Sequence, residues 1–289
     1  MRLKVLLLAL LCHLSSIFGD DRVSIQGDSK WQPQLMKNGF YRSLGVYSGY
    51  YFYGEVDTRT NEEVMHMSLF MFGLSGQMGV VARNAYKLEG TLRVNYGYGK
   101  YVGGVLDVDN EERNGKPLTA RDAVLIGDVE LKAGYNLLSN LSYISLYAQS
   151  GLGYYLNRNE MTSMYRIQGY LYVPLELEGE AILNDKIALS YGAGYRYLIF
   201  GNHLSREPTG LNGKLDVIQK DGFSWHGFVG MNFFTKAGQL RSLRLVYEYW
   251  SIGDSPESAM SSVYTGDIQY LYEPKNRTHR VFLQYSFGF

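Results

Sequence analysis

The residues able to do chemistry are few. Past residue 19 the histidines are His66, His203, His226 and His279. One stands two residues before a serine, in Gly201-Asn202-His203-Leu204-Ser205-Arg206, and a Ser–His pair is the minimum for nucleophilic attack on an acyl ester. The acidic run Asp107, Asp109, Asn110, Glu111 and Glu112 offers the oxygen ligands that calcium takes. It lacks the spacing and glycine of an EF-hand loop, so it reads as a solvated loop. Gly97-x-Gly99 has no helix after it to make a phosphate cradle, and no zinc motif occurs. Neither a metal nor a cofactor is expected. Cys12 is the single cysteine. A chain cut after it has no thiol nucleophile, thiolate metal site or disulfide.

Most ionisable residues instead follow a period of two. Asp128, Glu130 and Lys132 alternate with Val129, Leu131 and Ala133, and Lys87, Glu89 and Arg93 alternate with Leu88, Leu92 and Val94. Alternation of this kind marks strands. Ten such segments are expected near 44–56, 67–80, 86–98, 123–135, 142–154, 165–182, 187–200, 223–234, 240–251 and 279–289. Most are long enough to cross a bilayer as tilted strands, which takes about 9–11 residues. Links after even-numbered strands are short, at 82–85, 136–141, 183–186 and 235–239. Those after odd-numbered strands are longer and more polar, at 57–66, 99–122, 156–164, 201–222 and 252–278. That short–long rhythm belongs to membrane barrels with both termini on one side. The expected fold is all-β, a single antiparallel transmembrane up-and-down β-barrel of ten strands, within a range of 8–12.

Composition agrees. Among 289 residues, 28 Lys and Arg balance 28 Asp and Glu, which removes the basic field that nucleic acid requires. With 26 Tyr, 33 Gly and only 6 Pro, the chain reads as β-structure meeting a membrane interface. Tyr50, Tyr51, Phe52 and Tyr53, and Tyr191, Tyr195 and Tyr197, are assigned to interfacial girdles. Arg2 and Lys4 before an apolar Val5 to Leu11 and small residues to Gly19 read as a secretory signal peptide. The expected organisation is signal peptide 1–19, periplasmic lead-in 20–39 and barrel 40–289.

A charge facing lipid at mid-membrane costs about 2–4 kcal/mol for Arg or Lys, so the charged parity must face the lumen. The expected lumen set is Glu89, Arg93, Asp128, Glu130, Lys132, Glu176, Glu178, Glu180, Arg196, Arg244 and Glu248. His226 is placed there too, beside Phe228. Ten strands lie near the side-chain-filled end of the barrel size range. Two readings stay open: a salt-bridged interior that conducts little or nothing, and a narrow pore for ions or small solutes in which Glu176, Glu178 and Glu180 favour cations.

The closing residues Val281, Leu283, Tyr285, Phe287 and Phe289 alternate with Arg280, Phe282, Gln284, Ser286 and Gly288. Here the chain resembles the bacterial outer-membrane β-barrel superfamily, whose chains end on an aromatic after alternating apolar positions. The resemblance implies Sec-type export, a terminal strand that signals to the barrel-insertion machinery, and a cell outer membrane location among lipids and lipopolysaccharide. Two enzymatic branches of such barrels bear on the chain. His203-Leu204-Ser205 is similar to the His-x-Ser-Asn step of outer-membrane phospholipases and lipid A deacylases, with Arg206 in place of Asn. The parity of Tyr197 and Ile199 would turn His203 and Ser205 toward the outer leaflet. Asp107-Val108-Asp109 resembles half of an omptin protease site, but no Asp-x-His accompanies it. The expectation is a non-enzymatic structural or surface-interaction protein of the Gram-negative envelope. The alternatives are a narrow porin-like channel and a lipid hydrolase using Ser205 and His203. Oligomeric state is left open.

Overall fold

The computed structural model describes residues 33–105, 107, 110, 112–160, 165–206, 210–235 and 239–288. A 3-10 turn, Gln34–Met36, precedes fourteen strands among these residues. They are β1 (Gly39–Asp57), β2 (Glu62–Ala82), β3 (Tyr86–Gly104), β4 (Pro117–Asn136), β5 (Ile144–Glu160), β6 (Tyr165–Asn184) and β7 (Ile187–Arg206). There follow β8 (Leu211–Asn212), β9 (Lys214–Gln219), β10 (Gly222–Phe234), β11 (Leu240–Ile252), β12 (Ser258–Ser262), β13 (Ile268–Leu271) and β14 (Lys275–Gly288).

Ten of these close a barrel of antiparallel neighbours. β1 to β7 pair in chain order, β7 pairs with β10, β10 with β11, β11 with β14, and β14 returns to β1. Closure leaves no barrel edge with unpaired backbone groups, the condition for strands in a medium without water. The other four strands stand at the long-loop end. β9 extends the pairing of β7, while β13, β12 and β8 make a small sheet. Leu211 and Met260 of that sheet form an apolar core with Leu215 and Val217 of β9.

Side-chain parity sorts the barrel wall. Asp128 is 1% exposed and Val129 49%. Phe70, Phe72, Leu74, Leu92, Val94, Leu131, Leu245 and Leu283 are all exposed on the outside. Along β3 the outward residues run from Leu88 to Tyr98 with no acid or base among them. That is about 33 Å of strand, enough at the usual tilt to cross an apolar band about 25 Å tall. A soluble protein buries such residues and exposes its charges; this one does the reverse.

Three expectations need correction. The links after odd-numbered strands are shorter than read from the sequence, because the strands run on: β5 to Glu160, β7 to Arg206, and β4 starts at Pro117. Beyond the apolar band the outer face carries polar residues, so the hydrophobic alternation fades while backbone pairing continues. Second, Tyr51 and Tyr53 are not girdle residues. They are buried inside the barrel while Tyr50 and Phe52 face out, as a period of two demands. The third correction concerns His203 and Ser205, which point into the barrel and are buried. Ile199 is an extra residue in β7, since Leu198 pairs with Tyr172 and Phe200 with Leu171. This β-bulge leaves Ile199 and Phe200 both exposed, and every later side chain changes face.

Candidate functional site

The barrel interior is layered. At the short-turn end the 3-10 turn is tucked inside: Leu35 packs with Val81 and Tyr147. The Leu35 amide donates to Glu180 Oε2 at 2.7 Å, and the Tyr147 hydroxyl donates to the Leu35 carbonyl at 3.0 Å. Asn232 donates a further hydrogen bond to Glu180.

A layer of ion pairs comes next. Lys87 meets Glu178 at 2.5 Å and Glu89 at 3.0 Å. Lys132 meets Glu176 at 2.6 Å and Glu130 at 3.1 Å. Arg93 bridges Asp128 at 3.0 Å and Glu248 at 2.6 Å, Arg196 bonds Glu130 at 2.9 Å, and Arg280 pairs with Glu248. Arg244 stands 3.8 Å from Glu178, and His226 3.4 Å from Glu176. All eleven charged residues singled out in the sequence lie in this interior. The sequence reading omitted Lys87 and Arg280 from the set, although both share its parity. A cavity of about 90 Å³ lies here, lined by Arg93, Glu130, Lys132, Glu176, Arg196 and Arg244 among others. That is room for a few water molecules.

Above it the lumen turns apolar. Tyr51, Tyr155, Tyr170, Tyr172 and Trp250, from β1, β5, β6 and β11, are each 0–2% exposed. Tyr155 stacks on Tyr170 at 5.4 Å, and the Trp250 ring lies 5.3–5.5 Å from those of Tyr155, Tyr170 and Tyr172. Arg196 sits over Tyr172 and Trp250, and Arg280 over Tyr155, tying this layer to the ion pairs below. Met67, Leu69, Val124, Ile126 and Leu198 complete the layer.

At the mouth is a second polar cluster. Arg166 Nη2 donates to Glu55 at 2.6 Å and to Glu273 at 2.6 Å. Gln168 donates to the same Glu273 carboxyl at 3.0 Å. His203 Nε2 lies 2.7 Å from Ser205 Oγ and 3.1 Å from Glu273 Oε2, with all three residues buried. This level is outside hydrocarbon, because Asp216 and Lys214 stand exposed on β9 opposite Leu204 and Arg206. Burial and the neighbouring Arg166 guanidinium hold the His203 imidazole well below its ordinary pKa, so it is neutral. Burial, with Glu55 adding to it, pushes the Glu273 carboxyl up to about 8 despite Arg166.

Hydroxyl and carboxyl therefore share one ring nitrogen, while Nδ1 has no hydrogen-bond partner. Proton relay from a serine needs the base to hold the hydroxyl on one nitrogen and its orienting acid on the other. The arrangement here is a buried hydrogen-bonded contact. Neither Arg166, Glu55 nor Glu273 was singled out from the sequence. Glu55 shares the inward parity of Tyr51 and Tyr53, but Glu273 lies between strands, where no periodicity marks it.

The remaining candidates fall elsewhere. Val281, Leu283, Tyr285 and Phe287 face outward on β14, and Phe289 lies outside the described residues. Asp107 is buried and 3.6 Å from Arg113, whereas Val108, Asp109 and Glu111 lie outside the described residues. So do residues 1–32, which include Cys12 and the assigned signal peptide. No cluster of metal-ligating side chains occurs among the described residues.

No family model matches this chain, and no curated protein matches it in sequence. Solved structures do resemble it. The outer-membrane protease OmpT from Escherichia coli superposes with a TM-score of 0.60 at 10% identity, over 88% of this chain and all of that one. The translocator domain of the autotransporter NalP from Neisseria meningitidis gives 0.41 at 14% identity, covering 85% and 88% of the two chains. The toluene transporter TodX of Pseudomonas putida gives 0.34 at 7%, covering 87% and 89%. At such identity the likeness to OmpT is one of fold: an integral ten-stranded barrel of the outer-membrane type.

Proposed function

We propose that this chain is a sealed outer-membrane β-barrel of the Gram-negative envelope, acting as a structural or surface-contact protein. Its short turns face the periplasm and its long loops face outward, with β14 as the strand read by the insertion machinery. One observation carries the sealed reading: the lumen is filled across its section by Tyr51, Tyr155, Tyr170, Tyr172 and Trp250. Nor does the Glu176–Glu178–Glu180 row offer free carboxylates to a passing cation. Lys132 and Lys87 hold the first two, and the Leu35 amide and Asn232 hold the third. The hydrolase reading is weakened by burial of Ser205 and by the shared nitrogen of His203.

Planar bilayers test the reading. The purified chain should insert without single-channel steps, and Trp250→Ala combined with Tyr170→Ala should create them. Reproducible steps from the unaltered protein would defeat the sealed barrel. Esterase activity on phospholipid that disappears in Ser205→Ala would defeat the non-enzymatic assignment.

A further inference from the structure

Two cations face each other on the outside of the wall. Lys100 of β3 pairs directly with Arg121 of β4, and both are exposed on the outer parity. Like charges directly opposite each other across a strand pair are destabilising. Within β2, β3 and β4 neither residue is ion-paired. The outward neighbours on β2, β3 and β4 are His66, Val102 and Thr119 on one side and Phe70, Tyr98 and Ala123 on the other. No acid is among them.

Height on the barrel says what could lie between the two charges. Lys100 is the first charged outward residue after the apolar run from Leu88 to Tyr98, so it stands at the end of the hydrocarbon band. Phe70 and Tyr98, one outward position below, are exposed rings of the interfacial kind. The Arg121 guanidinium lies 6.0 Å from the Tyr98 ring centre, which holds it against the wall. Ser68 of β2 pairs with Lys100 and is exposed on the same face. A hydroxyl, an ammonium and a guanidinium thus share one register row at headgroup depth, all able to donate to one group of oxygens.

We propose that Ser68, Lys100 and Arg121 bind the phosphate of an anionic lipid in the leaflet at the long-loop end. The proposal rests on the membrane-spanning reading above. Its acyl chains would lie against Phe70, Tyr98 and the apolar strand faces below, and its phosphate oxygens would bridge the two cations.

The test uses the full mature chain in a zwitterionic detergent, with lipid retention read by native mass spectrometry. Phosphatidic acid, diacylglycerol and inorganic phosphate are the probes. Phosphatidic acid should bind and diacylglycerol should not. Lys100→Gln with Arg121→Gln should weaken phosphatidic acid binding by about tenfold to a hundredfold, while Lys186→Gln at the other end changes nothing. Equal binding by the double variant, or equal binding of diacylglycerol, would overturn the site. Displacement of the lipid by millimolar inorganic phosphate would overturn the lipid as its ligand. A chain that folds in detergent yet binds no phosphatidic acid refutes this site alone. A chain that stays folded and soluble without detergent refutes the membrane reading with it.

Discussion

Arg166 holds two buried carboxyl groups, Glu55 and Glu273, on one guanidinium nitrogen. Removing the cation leaves the buried Glu55 without its ion-pair partner and Glu273 without its hydrogen-bond donor, and breaking a buried pair in this way costs about 3–5 kcal/mol. Arg166→Ala should therefore lower the unfolding temperature in detergent, whereas Arg59→Ala, on an exposed pair with Asp57, should leave it within error. Glu273 adds a pH dependence. Its carboxyl is raised in the fold, so the stability it contributes is present at low pH and is lost as pH rises through about 8. Its ionisation places a second negative charge beside Glu55, and β12 and β13 are joined to the barrel through the segment that carries it. Exchange protection over 254–274, corrected for the intrinsic base-catalysed rate, should fall between about pH 5 and 8, and Glu273→Gln should flatten that fall. A fall unchanged in Glu273→Gln would show that another group is responsible. The lumen charges were legible in the sequence because parity alone decides their face. The mouth cluster was not, since Glu55, Arg166, His203 and Glu273 are brought together from β1, β6, β7 and a loop.

Strand β7 carries the one place where parity misled. A period of two predicts orientation only while each residue opposes one partner residue, and Ile199 breaks that count. Nothing in Tyr197-Leu198-Ile199-Phe200 announces the bulge, as the four are strand formers throughout. Deleting Ile199 should join inward Leu198 to outward Phe200 in uninterrupted alternation, so that the bulge is lost while His203 and Ser205 stay inward. Single cysteines at 204 and 205 report this: in the parent only Leu204→Cys should react with a bilayer-side maleimide. With Ile199 deleted, the reactive position should remain Leu204→Cys. A switch of labelling to Ser205→Cys after the deletion would mean that Ile199 is not the extra residue. The aromatic layer is the second element-scale device. Trp250→Ala leaves a cavity among Tyr155, Tyr170 and Tyr172 and should cost about 3–5 kcal/mol, measured by urea titration of the folded band on a cold gel.

At the scale of the molecule, apolar residues meet the surroundings and ionised ones fill the interior. Such a chain needs an apolar solvent, so it should require detergent or lipid to stay monodisperse and aggregate on its removal. Monodisperse folded protein after detergent removal would contradict the whole architecture. Much of this was determined by the sequence alone. Alternating side chains in Asp128 to Ala133 and in Val281 to Phe287 assign faces, and the turn spacing gives ten strands, because strand geometry repeats every second residue and is local. Only the tertiary structure decided what fills the centre. Whether inward Tyr, Trp, Lys and Glu leave a channel or close one depends on which strands face each other across the lumen. That is a contact between residues as distant as Arg93 and Glu248 or Tyr170 and Trp250. Local periodicity carries no record of such pairs, since they are set by barrel closure, by register and by a single extra residue in β7.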